Sequence, residues 1–380
     1  MGREQWAEPQ PDAKHIVLAE LGHGGTADVY LAVARGPSGF RKLVVLKTLK
    51  TSLQSDPEFR EMFLNEARLA ARLNHPNIVQ TYEVVEQDGV PTIVMEYLEG
   101  QPLSTILKRV PRQEFPLAMH LRIICDVLTG LQYAHDLVDF DGAALEVVHR
   151  DATPQNVFVT FDGNVKLLDF GIAKLSISSV ETQQGIVKGK IRYIAPETIL
   201  GHAVDRRADV YAVGVMLWEA ITGRRRWPPG LPQPALFLRL ATGEQAESPG
   251  AAARGWPAEL DAITLKALAP KPEDRFQTAA EFRDALEKVL RPLEAVSLRD
   301  LGTMLAGAFA AGRERMRTVI EEQFRNIDSG GPPSAPHQIP IVASPSMVTG
   351  SEMFERPLGN IDLDIEQSRS FAPTGKSLAA

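Results

Sequence analysis

Cysteine is almost absent from this 380-residue sequence, in which Cys125, inside an apolar stretch, is the single thiol. One cysteine can form neither an intrachain disulfide nor a multi-cysteine metal site, so both are excluded and Cys125 is expected in the core. Long apolar runs are also missing: there is no stretch of about 18 apolar residues, and the first residues, MGREQWAEPQ, lack the apolar segment of a signal peptide. These absences predict a soluble cytoplasmic protein without a membrane span.

The sequence has no excess of positive charge either. It contains 41 lysine and arginine residues against 48 aspartate and glutamate residues, which gives a formal net charge of −7. Proteins that bind nucleic acid need clustered basic residues to neutralise phosphates. Nucleic acid is therefore not expected among the partners.

Apolar residues, by contrast, are plentiful. They make up 44% of the chain, and its length exceeds that of one ordinary domain. Segments 16–21, 29–34, 43–46 and 90–95 read as strands, and helical periodicity dominates the rest. A helix is predicted after the strand-like segment 43–46, with Asp56 as its cap and Pro57 at its first position. This order predicts an α+β fold with a small antiparallel-sheet lobe and a larger helical lobe.

A glycine-rich turn and a lysine–glutamate pair lie in the strand-rich part. Gly22, Gly24 and the position of Ala27 follow G-x-G-x-x-G, a weak signal alone, and the strand that follows it disfavours a dinucleotide-binding unit. Lys47 ends an apolar strand, and Glu66 lies on the apolar stripe of the predicted helix. Because an unpaired buried charge is costly, the sequence predicts a Lys47–Glu66 ion pair.

A second constellation lies in the middle of the chain. Asp151 precedes Asn156 by five residues, and two short strands follow around an Asp-Gly turn at 162–163. A turn centred on those two residues would place Asn156 directly opposite Asp169. Amide and carboxylate oxygens suit Mg²⁺ bridged to phosphates, and Asp151 beside the metal can accept a proton from an attacking hydroxyl.

Taken in order, these features resemble the signature set of protein kinases. The resemblance is to the bacterial eukaryotic-like (Hanks-type) Ser/Thr protein kinase family, and it covers about residues 15 to 290. The matching segments are 21–29, 44–47 with Glu66, His-Arg-Asp to Asn at 149–156, Asp-Phe-Gly at 169–171 and Ala-Pro-Glu at 195–197.

The resemblance implies a two-lobed kinase fold that transfers the γ-phosphate of ATP to Ser or Thr hydroxyls of proteins in bacterial signalling, and that also phosphorylates itself. Lys47 would hold the α and β phosphates, Glu66 would orient Lys47, and Asp151 would be the base. Asn156 and Asp169 would bind Mg²⁺. In this family the histidine at the position of His149 is packed and hydrogen-bonded, and it is not the catalytic base.

The nucleotide contacts are likewise implied by the resemblance. Met95 would line the adenine pocket as gatekeeper, with Glu96, Tyr97 and Leu98 as the hinge. The implied contacts are Leu21, Gly22, His23, Gly24, Gly25, Thr26, Ala27, Val29, Val45, Lys47, Met95, Glu96, Leu98, Asn156 and Asp169.

A helical appendix and a tail are predicted after the large lobe. Ser297 and Asp300 form a capping-box pattern ahead of an apolar helical stripe, after which Gly, Pro and Ser dominate. Partner docking is assigned to this extension or the tail, and the protein substrates stay unidentified. The predicted divisions are a flexible N-terminus at 1–14, a kinase domain at 15–290 (N-lobe 15–95, hinge 96–100, C-lobe 101–290), a helical extension at 291–327 and a disordered tail at 328–380.

Three positions depart from the family pattern. Ala27 replaces the last loop glycine, Thr153 stands where Ser/Thr kinases usually carry Lys, and Lys190 stands where a Thr usually touches the base. A pseudokinase scaffold that binds nucleotide or partners without turnover is therefore one alternative, which the retained site residues oppose. A small-molecule phosphotransferase of related fold is another, which the Ala-Pro-Glu motif opposes.

Regulation by phosphorylation is expected in the activation segment at 169–197, where a phosphate could pair with Arg150. By resemblance, Ile172 favours Thr over Ser as the acceptor. The three arginines at 224–226 are expected to form a solvated face, and a docking site for acidic partners is the less favoured alternative. The candidate phosphorylation sites are Ser176, Ser178, Ser179 and Thr182.

Two structural features of the large lobe are also implied by the resemblance. Glu197 would form a buried ion pair with Arg275, and Asp209 would open a helix that is apolar all round. Both are expected to hold the lobe together.

Overall fold

Short apolar runs form the central strands of the sheet of the small lobe. Its antiparallel strands are β1 (His15–His23), β2 (Ala27–Arg35), β3 (Arg41–Leu49), β4 (Thr81–Gln87) and β5 (Val90–Glu96), in the order β4-β5-β3-β2-β1. Four of the strands match predicted segments, whereas β4 has no counterpart among them. The computed structural model describes residues 14–87, 89–170, 190–228, 230–252, 257–293, 297–329 and 337–338.

Two helices, α1 (Thr51–Gln54) and α2 (Pro57–Ala70), follow β3. The predicted cap of α2 is present, because the Asp56 side chain accepts a hydrogen bond of 2.9 Å from the Glu58 backbone. Phe63 and Ala67 are buried against the sheet, in a cluster with residues of β2, β3 and β5. This packing turns the face that carries Glu66 toward β3.

The large lobe begins with a second sheet of β6 (Gly100–Pro102), β7 (Val157–Thr160) and β8 (Val165–Leu167). Helices form the rest of it, and they enclose one apolar cluster that also contains Cys125. Among the described residues, no helix combines the length and the apolar character that crossing a bilayer requires. The helices are α3 (Leu103–Arg109), α4 (Leu117–His135), α5 (Pro196–Ile199), α6 (Arg207–Thr222), α7 (Gln233–Ala241), α8 (Pro249–Ala252), α9 (Ala258–Ala267) and α10 (Ala279–Leu290).

The register of β7 and β8 differs from the prediction by one residue. Val157 pairs with Leu167, so Asn156 lies opposite Leu168, not opposite Asp169, and the Leu168 amide donates to the Asn156 carbonyl at 2.8 Å. The turn holds three residues, not two, and ends at Gly163 with φ +91°. A left-handed glycine after a tight turn is typical of three-residue hairpin loops, and the extra residue shifts the pairing.

The predicted helical extension forms two helices, α11 (Leu298–Ala308) and α12 (Ala310–Asp328). The predicted capping box is present: Ser297 and Asp300 bond reciprocally to each other's backbone amides at 3.1 and 3.0 Å. The apolar stripe of α11 joins the core of the large lobe, and that of α12 joins a cluster with β1 and β2.

The chain termini lie largely outside the described residues, including 1–13 and 339–380. Described elements reach past the start of the predicted tail, residue 328, at two places. Asp328 belongs to α12, and His337–Gln338 form a short strand, β9, parallel to β1. A strand edge offers free backbone groups to any extended segment, so a low content of apolar side chains did not exclude this pairing.

The predicted ion pair between Glu197 and Arg275 is confirmed. Two hydrogen bonds of 2.7 Å join the groups, and the side chains are 5% and 0% exposed. Arg275 also donates to the carbonyls of Ala269, Arg207 and Pro270 at 2.8 to 3.0 Å. The guanidinium thus connects the start of α5 to the start of α6 and to the segment after α9.

Removing the Glu197 carboxylate should therefore make the large lobe easier to unfold. We expect Glu197→Ala to lower the free energy of unfolding by about 3–5 kcal/mol, since a buried guanidinium is left uncompensated. Urea denaturation followed by circular dichroism measures it. Arg317→Ala is the control, because its pair with Glu321 on α12 is exposed and should matter little. Equal midpoints for the two variants would contradict a structural role for the buried pair.

Candidate active site

A cavity of about 960 Å³ opens beside the sheet of the small lobe, at the segment that joins the two lobes. Its walls include many of the residues predicted to contact a nucleotide. These are Leu21, Val29, Val45, Lys47, Met95, Glu96, Leu98 and Asp169.

The register of the sheet explains why these side chains share one face. Val29 on β2 pairs with Lys47 on β3, and Val45 on β3 pairs with Met95 on β5. Paired residues point to the same side of a sheet, and so do residues two apart along a strand. Three strands therefore give one apolar wall with a single ammonium at its end.

Lys47 joins two carboxylates in this wall. Its Nζ donates to Glu66 on α2 at 2.6 Å, as predicted, and to Asp169 after β8 at 2.8 Å. Burial alone lowers the pKa of the Lys47 ammonium, but the charges of Asp169 and Glu66 outweigh it, so the net pKa lies above its usual value. The lysine thus carries its positive charge at every physiological pH.

The glycine-rich segment connects β1 to β2. Gly24 donates its backbone amide to the Ala27 carbonyl at 2.7 Å, and His23 lies between Glu20 and Asp28. The Ala27 methyl is buried among small-lobe side chains, which explains why a residue with a side chain is tolerated there. The predicted contacts at 22–27 do not line the cavity, so their role at the phosphates remains a prediction.

Asp151 and Asn156 face each other across a short loop of the large lobe. The Asn156 amide nitrogen donates to the Asp151 carboxylate at 2.6 Å and to the Asp151 carbonyl at 2.8 Å. The two side chains are 5% and 0% exposed by residue. The remaining Asn156 amide oxygen is buried and accepts no hydrogen bond from the described residues.

That amide oxygen bears on whether the site fits a divalent metal. A buried acceptor without a donor is costly, and a cation would satisfy it. Asn156 and Asp169 supply the hard oxygen atoms that Mg²⁺ prefers. Within the described residues, no group of three or more His, Cys, Asp or Glu side chains could hold a metal. The arrangement fits a metal that takes its other ligands from phosphates and water.

Asp209 holds this loop, a role that the sequence did not predict. Its carboxylate accepts from the backbone amides of His149 and Arg150 and from the His135 ring, all at 2.8 Å. Burial raises the pKa of the Asp209 carboxyl, but the hydrogen bonds and charge of His135 and His149 reverse this, so the net pKa lies below its usual value. An acidic residue opening an apolar helix was the available signal.

His149 has the packed position that the resemblance implied. Its Nε2 lies 3.0 Å from the Leu168 carbonyl, and its Nδ1 accepts from the Asp151 amide at 3.3 Å. The ring is fully buried and packs on Phe170 at 4.5 Å between centroids. Both nitrogens are therefore engaged with backbone groups.

Two residues of this site have a strained backbone conformation. Arg150 and Asp169 have φ values of +61° and +45°, which side-chain-bearing residues rarely adopt. Such conformations persist only where surrounding contacts enforce them. Asp209 supplies a contact for Arg150, and Lys47 supplies one for Asp169.

The predicted hinge follows β5. Glu96 accepts hydrogen bonds from Lys166 at 2.6 Å and from the Gln80 amide at 2.7 Å, and it lines the cavity together with Tyr97 and Leu98. Burial raises the pKa of the Tyr97 hydroxyl to about 12. The hinge is thus fixed on one side by an ion pair and on the other by apolar packing.

The positions that depart from the family pattern have different surroundings. Thr153 is buried, and its hydroxyl makes no hydrogen bond within the described part of the chain. The backbone of Lys190 begins a short 3₁₀ helix. Ile172 and the four candidate phosphorylation sites lie outside the described residues.

The run of three arginines is not a uniformly solvated face. Arg225 donates to Tyr193 at 2.6 Å and to Glu219 at 3.0 Å, and Arg226 lies over the Trp227 ring. Only Arg224 is exposed. Glu219, near the end of α6, provides the partly buried carboxylate that pairs with Arg225.

One wall of the cavity comes from a part of the chain that no site prediction included. Residues of α12, among them Arg313, Met316 and Ile320, line the same space as Leu21 and the hinge. The sequence predicted this helix but did not place it. An apolar stripe shows that a helix packs, not which surface it covers.

Comparison with known proteins agrees with this geometry. Residues 16–279 match the family described as "Protein kinase domain". A tyrosine-protein kinase, MasK of Myxococcus xanthus, is 43% identical over 82% of this chain and 48% of its own, and a serine/threonine-protein kinase, PksC of Streptomyces coelicolor, is 36% identical over 86% and 57%. The chain thus spans about half the length of these curated relatives.

A solved structure shares the fold. The Mycobacterium tuberculosis PknI kinase domain superposes with a TM-score of 0.55 at 31% identity, over 75% of this chain and 99% of that one. The two-lobed fold predicted from the sequence is confirmed. The chain belongs to the protein kinase family.

Proposed function

We propose that this chain is an ATP-dependent protein kinase that transfers the γ-phosphate of ATP to Ser and Thr hydroxyls of proteins, its own included. One observation carries the proposal: the Lys47 ammonium lies in the wall of a nucleotide-sized cavity, bonded to both Glu66 and Asp169. A fixed positive charge at the end of an apolar wall suits a triphosphate attached to a flat base.

The proposed roles are those that the resemblance to protein kinases implies, and the geometry supports them. Lys47 binds the α and β phosphates, and Glu66 keeps its ammonium in position. Asp151 accepts the proton of the acceptor hydroxyl while the hydroxyl oxygen bonds to the γ-phosphorus. The bond from that phosphorus to the β–γ bridging oxygen breaks, and ADP leaves. Asn156 holds the Asp151 carboxylate through its amide nitrogen.

Kinases of this family use ATP and a divalent metal, and Mg²⁺ is the metal proposed here. Bound Mg²⁺ would neutralise phosphate charge. The Asn156 amide oxygen and the Asp169 carboxylate would hold it. Leu21, Val29, Val45 and Met95 would enclose the base, the hinge would contact its edge, and the segment at 22–27 would cover the phosphates.

Serine and threonine are the proposed acceptors, although one relative is named a tyrosine kinase. The loop at 151–156 lacks the Ala-Ala-Arg pattern of tyrosine kinases. PksC, which is named a serine/threonine kinase, supports the same choice. The buried Thr153 brings no positive charge to the site, so turnover is expected to be slow.

The division of the chain remains a proposal. It comprises a kinase domain at 15–290, the helical extension that follows it and a tail. The proposed location is the cytoplasm, which supplies ATP and whose reducing environment fits the buried free thiol of Cys125. Substrate proteins are the proposed partners, and docking on the extension would use its charged outer face, because its apolar stripe is packed inward.

Removing the proposed base tests the function directly. We expect Asp151→Asn to lower phosphate transfer from labelled ATP by about 10²-fold or more, since the acceptor proton loses its recipient. Asp284→Asn, at an exposed site on α10, is the matched control and should keep full activity. Equal activity of the two variants would exclude Asp151 as the base, and an inactive wild type would favour the scaffold alternative.

Analysis of the phosphorylated residue tests the acceptor assignment. After incubation with labelled ATP and acid hydrolysis, phosphoserine and phosphothreonine should carry the label. The Asp151→Asn chain provides the background. Label found in phosphotyrosine alone would overturn the Ser/Thr assignment while leaving kinase activity intact.

Mass mapping tests regulation by the activation segment. The wild-type chain incubated with ATP should carry phosphate between residues 172 and 190, on one or more of the four candidate hydroxyls, because a phosphate there can pair with Arg150. An active sample without phosphate in this segment would refute the idea. If the segment is phosphorylated, the Arg150→Ala variant should lose the increase in activity that phosphorylation gives the wild-type chain.

A further inference from the structure

The cavity assigned to the nucleotide has a wall beyond residue 279, where the match to the kinase domain family ends. Met316, Arg313 and Ile320 of α12 line it together with Leu21 and Tyr97, which belong to β1 and to the hinge. The helices α11 and α12, residues Leu298–Asp328, are called the bridging helices below.

The first bridging helix is fixed to the large lobe. Leu301, Leu305 and Phe309 are buried in the apolar cluster of that lobe. The α11 backbone lies directly on the turn between β7 and β8: a Cβ atom built on Gly302 would be 2.7 Å from the Phe161 carbonyl oxygen, and one on Gly163 would be 1.8 Å from the Leu298 carbonyl oxygen. Only glycines allow so close an approach.

The second bridging helix is fixed to the small lobe. Met316 and Ile327 are buried in one cluster with residues of the two strands that flank the glycine-rich segment. The strand residues in this cluster are Ile16, Leu18, Ala19, Leu31 and Val33.

Polar contacts also join α12 to the hinge and to the sheet of the small lobe. Arg313 lies 3.4 Å from Glu99 in the hinge, and Arg41 on β3 donates to Asp328 at the end of α12 at 2.5 Å. These side chains are exposed or partly exposed, so the pairs contribute little to stability and mainly fix the register of the helix. The apolar cluster around Met316 carries the attachment.

Two residues connect this attachment to the cavity. Leu21 and Tyr97 are partly buried against the Met316 cluster, and both also line the cavity. Leu21 stands where β1 enters the glycine-rich segment, and Tyr97 is in the hinge. Displacing Met316 would therefore move two walls of the nucleotide site at once.

We propose that Met316 is a positioning residue of the nucleotide site and that the bridging helices hold the two lobes at the separation that ATP requires. The inference rests on the proposed function. Met316 packs against β1 and β2 on the side that faces the cavity. It therefore fixes the distance between Leu21 and the adenine ring of the nucleotide. Loss of its side chain lowers the affinity for adenine nucleotide and leaves proton transfer at Asp151 in place.

The test compares two buried methionines. Met316→Ala and Met119→Ala remove the same side chain, but Met119 lies in the large-lobe core and does not line the cavity. Isothermal calorimetry with a non-hydrolysable ATP analogue and Mg²⁺ measures the dissociation constant. We expect Met316→Ala to raise it about tenfold and Met119→Ala to leave it within about twofold. Met316→Leu, which conserves volume, should restore binding.

The outcomes separate the two proposals. Equal dissociation constants for Met316→Ala and Met119→Ala, with wild-type binding intact, overturn the positioning role alone. A wild-type chain without affinity for the analogue overturns the proposed function and the positioning role with it. If Met316→Ala does not fold, the milder Ile320→Val must raise the dissociation constant and KM for ATP while kcat is retained, and a lowered kcat at constant KM contradicts the proposal.

Discussion

A single, partly buried ammonium determines how the active site is built. Lys47 comes from β3, Glu66 from α2 and Asp169 from the segment after β8, and both carboxylates bond the same nitrogen. Each of these charges would be costly alone in a partly buried cleft, and together they compensate one another. The contact also joins the lobes, because Asp169 belongs to the large one. In the proposed function, a nucleotide that draws the ammonium toward its phosphates would leave the Asp169 carboxylate available to the metal.

The large lobe also contains a buried charge that its neighbours compensate, and there the charge is negative. Asp209 is a buried carboxylate that accepts from two consecutive backbone amides and from His135, and this fixes the strained conformation of Arg150. The strain places Asp151 where its carboxylate meets Asn156. Hydrogen bonds that satisfy a structural carboxylate thus set the position of the proposed catalytic one.

The sequence could predict those features that depend on local chemistry. Charged residues on apolar stripes predicted the Lys47–Glu66 contact, and an Asp-Pro sequence predicted the start of α2. The β7–β8 register was missed because an Asp-Gly pair fits a turn of two residues and one of three equally well, and Gly163 has a positive φ in both. β4 was missed because Tyr82 and Val84 face outward from an edge strand, so its pattern does not mark a buried face.

The placement of the bridging helices shows where such reasoning stops. An amphipathic stripe specifies how much apolar surface a helix must bury, but burial is non-directional, so many surfaces would satisfy α12 equally well. Direction comes from shape: Gly302 and Gly163 let α11 approach the β7–β8 turn, and this contact fixes the origin of α12 at Ala310. The β7–β8 turn is the tip of the hairpin that leads to Asp169. The same backbone contact therefore helps to position both Asp169 and α12, which forms the outer wall of the cleft. The distance between the lobes is therefore set from both sides, by charge at Lys47 and by packing at Met316.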